Sequence, residues 1–281
     1  MPLEVKRVSQ INLAFFIGLV NGIFEDYKLP IKWDLLGFEL DARENSVVLS
    51  ESFVFYEGEQ AVGFVLVARR RNRARIDAMG VIPERRGLGV AHYMLDYTFE
   101  HLRWRGVALV SLEVLEDDLR ARKFYKKYGF TDRRRLVNYV KHPDTSIRPE
   151  TKGVQEVDAR WVHEKALRAQ LVFSRKPNWQ REPVTLLLAN GRYRMLKLAD
   201  LGYLVWGSNK DGAFIVDVAP LNETHTFHEV LGKALSCIYG SVGRVPVSIA
   251  NLPEDDPLSE AVVNAGFTPL FNQIEMCYNL H

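Results

Sequence analysis

The chain has 281 residues, 47% of them hydrophobic and 26% charged, with a formal net charge of +2. This length is comfortable for two domains with buried cores, and the near-neutral balance argues against a dedicated nucleic-acid binder. The two cysteines, Cys237 and Cys277, lie far from any metal-ligand spacing, which excludes a disulfide framework or a cysteine-based zinc site and fits a reducing cytoplasm.

Residues 1–145 carry 23 Lys and Arg against 20 Asp and Glu, whereas the remainder carries 14 against 15. The first half is therefore the mildly basic one and the better host for a small anion. Its apolar run INLAFFIGLVNGIF follows Lys6 and Arg7 but has no small-residue cleavage site and is too short to span a bilayer. Leu13, Phe16, Val20 and Phe24 recur at helical spacing and predict a buried first helix. DYKLPIKWDLLGFELDAR predicts a short second helix or turn broken at Pro30. Two β-rich runs flank Glu57–Gln60 as a hairpin, and RNRARIDAMGVIP is a further strand ending at Pro83. Residues 87–104 predict a helix with Val90, Met94, Tyr97 and His101 on one stripe and Gly106 as its stop. VALVSLEVL is a strand, DDLRARKFYKKYGF a helix closed by Gly129, and RLVNYVKH a strand. The polar stretch 141–153, with two prolines, is the expected linker.

The second half repeats this order. A helix is expected at 155–172, strands at 184–189, 193–198, 203–207 and 213–219, a helix at 226–240, a strand at 245–252, a helix at 257–265 and a strand at 268–279. Pro83 and Pro220, Ser111–Leu115 and Ser248–Leu252, and Gly129-Phe130 and Gly266-Phe267 share one offset of 137 residues. Three pairs at one offset indicate a duplication, with domains at 1–143 and 144–281.

The segment VIPERRGLGVA, residues 81–91, places two glycines and an alanine where a strand turns into a helix. Free backbone N–H groups at that helix start, aided by the helix dipole, attract an anion, usually phosphate. Gly87, Gly89 and Ala91 allow a pyrophosphate to approach the main chain, and Arg85 and Arg86 add positive charge at the rim. An ordinary tight turn is the alternative for this stretch taken alone.

With the downstream segments LEV and ARKFYKKYGF, this stretch resembles the GNAT acetyltransferase superfamily over residues 12–140. The family's pyrophosphate pattern is met by Arg86, Gly89 and Ala91, with Gly87 in addition. Its later block is matched by Leu112, Glu113, Val114, Ala121, Phe124, Tyr125, Gly129 and Phe130, while Asp118 stands where the family has Asn. The resemblance implies two α+β domains, each a mixed, mostly antiparallel twisted sheet flanked by helices. It implies acetyl-CoA as cofactor, with Gly80, Val81, Arg85, Arg86, Gly87, Leu88, Gly89, Val90, Ala91, Asp118, Ala121 and Tyr125 at its site. The implied reaction is direct acetyl transfer to a primary amine. Tyr125 is the expected acid. Glu113 is the first candidate for base, by its resemblance in spacing to ribosomal-protein alanine N-acetyltransferases, and Asp77 is the second. The alternative for Glu113 is a strand carboxylate paired with a nearby arginine.

Glu25, Asp26 and Tyr27 fall where the family's first helices wall the acceptor pocket, and they suit an ammonium substrate. An exposed helix end is the competing reading. The arginines of ARRRNRAR, residues 68–75, and of 133–135 are expected to be solvated at hairpin tips. At the 137 offset Arg86 becomes Glu223, Gly87 Thr224, Gly89 Thr226, Ala91 His228, Glu113 Ala250 and Tyr125 Val262. The second copy is thus expected to keep its packing and to lose the cofactor. His225 and His228 read as surface residues and no metal site is expected. The acceptor is expected to be a small-molecule amine, with neither nucleic acid nor membrane as partner, in a cytoplasmic monomer or homodimer. Two alternatives remain: a non-enzymatic acyl-CoA sensor, and a protein N-terminal or lysine acetyltransferase.

Overall fold

The computed structural model describes residues 3–28 and 32–280, so the expected break at Pro30 lies outside the described residues. The elements run β1 (Glu4–Arg7), α1 (Leu13–Ile23), α2 (Leu35–Asn45), β2 (Phe53–Glu57), β3 (Gln60–Arg70), β4 (Arg73–Val81), α3 (Val90–Trp104), β5 (Leu109–Leu115), α4 (Leu119–Tyr128) and β6 (Thr131–Lys141). They continue as β7 (Val154–Glu156), α5 (Ala159–Val172), α6 (Pro183–Leu188), β8 (Arg194–Leu198), β9 (Gly202–Asn209), β10 (Gly212–Pro220), α7 (Phe227–Val242), β11 (Val247–Pro253), α8 (Pro257–Asn264) and β12 (Thr268–Asn279).

Local chemistry sets several of these ends. Asn12 caps α1 by accepting from the Phe15 N–H at 3.0 Å, and Asp34 caps α2 through the Gly37 N–H at 2.6 Å. Gly129, at φ +112°, turns the chain out of α4 in a conformation that suits glycine.

The chain divides into two compact units. The first comprises Met1–Glu113, Arg120–Asp132 and Met276–His281; the second comprises Val114–Leu119 and Arg133–Glu275. In the first, β1, β2, β3 and β4 pair antiparallel in sequence, and β5 then adds in parallel to β4. In the second, β7, β8, β9 and β10 pair antiparallel, and β11 adds in parallel to β10. The same order of pairings in both units is what the repeat at offset 137 predicts.

The units do not follow a single cut at 143/144. From Arg133 onward β6 belongs to the second unit, where it pairs antiparallel with β11 from Val247↔Lys141 to Pro253↔Leu136. The C-terminal segment from Met276 belongs to the first unit. There Leu280 N–H donates to the Ala108 carbonyl at 2.8 Å, and the Tyr278 ring packs on Phe99 (5.0 Å) and Phe130 (5.5 Å).

Other expectations also need correction. The predicted strand 184–189 is the helix α6, because Pro183 at its first position presets the helical φ and lacks the N–H a strand needs. The short strands β1 and β7 were not expected. The buried face of α3 is Met94, Leu95, Thr98, Phe99 and Leu102. Tyr97 and His101 flank it, packing on the Phe53 ring at 5.1 and 5.2 Å.

Tyr278 is half-buried among aromatic rings of the first unit. Tyr278→Ala is expected to lower the free energy of unfolding by about 2 kcal/mol in a urea titration. A loss below about 0.5 kcal/mol, the range of ordinary surface changes, would detach this segment from the core.

Candidate active site

The parallel pairing of β4 with β5 lasts for three residue pairs, Arg73↔Leu109, Ala74↔Val110 and Arg75↔Ser111. On its other side β4 carries a bulge: the β3 register shifts between Leu66 and Val67, leaving Asp77 as the extra residue. A bulge bends its strand and sharpens the local twist. Beyond it, among the described residues, Ala78–Val81 pair with β3 and no longer with β5. Gly80 lies in this stretch, packed so closely that an added Cβ would meet Ile23 at 2.5 Å.

After β4 the chain makes a 3-10 turn at Pro83–Arg85, and Gly87 and Gly89 follow with φ of +82° and +85°. Around both glycines the space a Cβ would enter is open. Gly89 caps α3 with no side-chain hydrogen bond, and the first bonded N–H groups of the helix are those of His92 and Tyr93, on the Gly89 carbonyl. The N–H groups of Val90 and Ala91 precede them and have no helical acceptor, as at any helix start. Leu88 is 70% exposed at the tip.

Neither arginine of the loop is a free rim cation. Arg85 pairs with Glu57 at 2.6 Å. Arg86 donates to both carboxylate oxygens of Asp26 (2.8 and 3.2 Å), to the Ile23 carbonyl and to the Val81 carbonyl (both 3.0 Å). The hydrogen bond from Arg86 holds the Asp26 carboxyl below its ordinary range and, in return, raises the guanidinium. Glu25 is exposed, and the Tyr27 ring packs edge-on to Phe24 at 5.3 Å.

On β4 and β5 a charged trio is buried. Arg75 lies 3.2 Å from Asp77 and 3.5 Å from Glu113, and the side chains are 6–9% exposed. Glu113 thus has the arginine partner of its alternative reading. Burial pushes the Asp77 carboxyl up, Arg75 opposes this, and Asp41 on α2 adds to the upward push. Tyr125, on α4, is half-buried between the rings of Phe124 (5.2 Å) and Phe130 (5.6 Å). Ala121 is in the same helix, one turn earlier. Asp118 sits in the turn before α4, its N–H on the Leu115 carbonyl, in the segment that belongs to the second unit.

Sequence reasoning missed Arg75, the centre of the trio, by treating residues 68–75 as a solvated tip. In fact Arg70 and Arg75 are buried, Arg70 donating to the Glu44 carbonyl and the Ser46 hydroxyl. Arg69 is bidentate to Glu51. Arg133, Arg134 and Arg135 likewise pair with Glu275, Asp255, Glu254 and Glu116. Alternation along β3 and β4, which sends every second side chain inward, was the available signal.

The second unit repeats the split and fills it. Here β10 and β11 pair only at Ala213↔Val247 and Phe214↔Ser248. Beyond these, Arg181 donates to the Val216 carbonyl of β10 and the Ala250 carbonyl of β11, bridging the two strands. Arg175 binds Asp217 at 2.9 Å and Asp256 at 3.1 Å, and the Tyr203 hydroxyl donates to Asp217 at 2.6 Å. Burial lowers the Arg181 guanidinium, whereas the two aspartates hold Arg175 well above its ordinary value. The helix start is closed as well. Thr226 caps α7 by accepting from the Glu229 N–H at 3.2 Å, and Glu229 accepts from the Thr226 N–H at 2.7 Å. Among the described residues no group of three or more His, Cys, Asp or Glu is placed to hold a metal ion. Nor is any helix long and apolar enough to cross a membrane.

The raised Asp77 carboxyl has a consequence for stability. The folded chain binds that proton more tightly than the unfolded chain, so the contribution is complete below the unfolded value of about 4 and is lost as pH rises through the folded value. The stability difference between wild type and Asp77→Asn, from urea titrations between pH 4 and 8, is expected to move against the wild type as pH rises. A flat difference would contradict the shift.

Comparison with known proteins agrees with this geometry. Residues 16–130 match the family model described as Acetyltransferase (GNAT) family. Among solved structures, a tandem GNAT protein from the clavulanic acid biosynthesis pathway aligns over 100% of this chain and 99% of its own, at TM-score 0.67 and 16% identity. A GCN5-related N-acetyltransferase from Sphaerobacter thermophilus aligns over 99% and 96%, at TM-score 0.66 and 13% identity. A putative acetyltransferase from Pyrococcus horikoshii aligns over 99% and 90%, at TM-score 0.66 and 17% identity. These identities support the fold alone, and no curated protein matches the sequence. The family match thus falls on the residues that build the split sheet and the glycine loop, and the chain as a whole shares its fold with a tandem GNAT protein.

Proposed function

We propose that the first unit binds acetyl-CoA and transfers its acetyl group directly to a primary amine of a small molecule, while the second unit holds no cofactor. One observation carries this reading. The first unit has an uncapped helix start behind two glycines whose Cβ directions are open, and the second unit closes the same place with its own side chains. The loop residues fit the cofactor, because backbone donors at a helix start are a ready anion site.

In this reading the N–H groups from Gly87 to Ala91 hold the pyrophosphate, with Leu88 and Val90 lining the approach. Ala121 would flank the cofactor arm. When bound, acetyl-CoA supplies the activated thioester. Backbone at Gly80 and Val81, past the pairing of β4 with β5, polarises the carbonyl. A carboxylate of the Arg75 trio takes the proton of the amine, which needs a free lone pair to attack. Asp77 fits this role through its raised proton affinity, because a base works best with a pKa near the working pH. Glu113, 3.5 Å from Arg75, is the other candidate. A C–N bond forms, the C–S bond breaks, and the Tyr125 hydroxyl gives its proton to the departing sulfur. Glu25 and Tyr27 line the acceptor side, with Asp26 tied to Arg86. Two cysteines without a disulfide suit a cytoplasmic enzyme.

Tyr125→Phe is expected to lower kcat about 100-fold, the lower range for a lost acid, with coenzyme A affinity kept. Steady-state rates across an amine panel would decide, and an unchanged kcat would remove Tyr125 from the acid role. Calorimetric titration of acetyl-CoA is expected to give one site per chain, weakened at least tenfold in Gly89→Val, where a branched side chain enters the open space at positive φ. Two sites would refute the assignment of the second unit, and binding without thiol release on any amine would favour a sensor.

A further inference from the structure

Arg86 spends its side chain on the protein rather than on the solvent in front of the loop. Its Nε donates to the carbonyl of Val81, the last residue of β4, and one Nη donates to the carbonyl of Ile23, the last residue of α1. Both Nη atoms reach Asp26, two residues past the α1 C-cap. Four donors of one planar fork thus join three places: the end of β4, the end of α1, and the loop that carries Glu25, Asp26 and Tyr27. A lysine at this position could not make these bonds together. The ion pair itself is partly exposed, at 31% for Arg86 and 59% for Asp26. A pair this wet contributes little to global stability, so holding the chain folded does not account for the arrangement.

We infer that Arg86 is a positioning residue that couples the phosphate loop to the acceptor loop, so that ordering residues 85–91 also orders residues 24–28. The inference rests on the reading of the first unit as the coenzyme A site. The coupling follows from connectivity. Arg86 is the residue just before Gly87, so any ligand that fixes the N–H groups from Gly87 to Ala91 fixes the root of the guanidinium. The guanidinium then fixes Asp26 and, with it, its neighbours Glu25 and Tyr27. By reciprocity an acceptor that orders Glu25–Tyr27 tightens coenzyme A binding by the same factor. The opposite arrangement, in which Arg86 swings onto the phosphates, would release Asp26 and loosen that loop.

Hydrogen exchange on the full chain, with and without coenzyme A, separates the two. In wild type, coenzyme A is expected to slow exchange of the amides in residues 22–28 by about tenfold, within the usual range of coupling between sites. In Asp26→Asn, a near-isosteric surface change, and in Arg86→Lys, coenzyme A is expected still to bind through backbone donors while that protection is lost. Protection that persists in both variants would overturn the coupling. Faster exchange of residues 22–28 in wild type on binding would overturn it too, by showing that Arg86 leaves Asp26 for the phosphates. So would loss of coenzyme A binding in Arg86→Lys alone, with Asp26→Asn behaving as wild type. No coenzyme A binding by wild type would instead bring down the proposed function, and this inference with it.

Discussion

Everything distinctive in each unit depends on a parallel strand pair that stops early. Two neighbouring strands that diverge leave backbone N–H and C=O groups without ladder partners, and buried groups of this kind must be satisfied by something. In the first unit the pair β4–β5 stops at Arg75↔Ser111, next to the bulge at Asp77. In the second the pair β10–β11 stops at Phe214↔Ser248. The two units treat the same shortage of partners in opposite ways: the second fills the split with its own side chains, while the first carries the bulge at Asp77 beside it.

The closed solution uses charge. Burying a guanidinium is costly unless partners compensate it. Arg181 meets that condition with carbonyls from both strands of the split, and Arg175 with Asp217 and Asp256. The Tyr203 hydroxyl occupies a further lone pair on Asp217. The carbonyls of Val216 and Ala250 on the two sides of the split are thus answered from within the unit. The start of α7 obeys the same logic, since Thr226 and Glu229 satisfy each other's N–H groups. In the first unit glycine takes the capping position and offers no such side chain.

Much of this was legible in the sequence, because glycine, proline and apolar periodicity have local meanings. The offset of 137 places α7, α8 and β12 within two residues of where α3, α4 and β6 predict them. What was hidden was non-local or too short to be periodic. The six residues 183–188, apolar but for Thr185, carry no period, and only Pro183 marked them as helix. β1 and β7, at four and three residues, form because a neighbouring edge is available. Arg75 stood in a run of arginines and read as solvent-facing, because its partner Glu113 is 38 residues away. That β6 joins β11 and the chain's last residues join the first unit cannot be read from either strand's own pattern.

The glycine loop shows why residue type alone misassigns roles. Arg85 and Arg86 beside a phosphate-shaped turn invite the reading that positive charge holds the anion. Each is neutralised by a carboxylate from elsewhere in the unit, Glu57 and Asp26. The attraction that remains is the helix dipole and the uncapped N–H groups, which act over one turn and demand close approach. Close approach is what the left-handed glycines permit and a side chain would forbid. The arginines then shape the loop rather than attract through it, and the change to Glu223 at the equivalent place in the second copy removes a clamp as much as a charge.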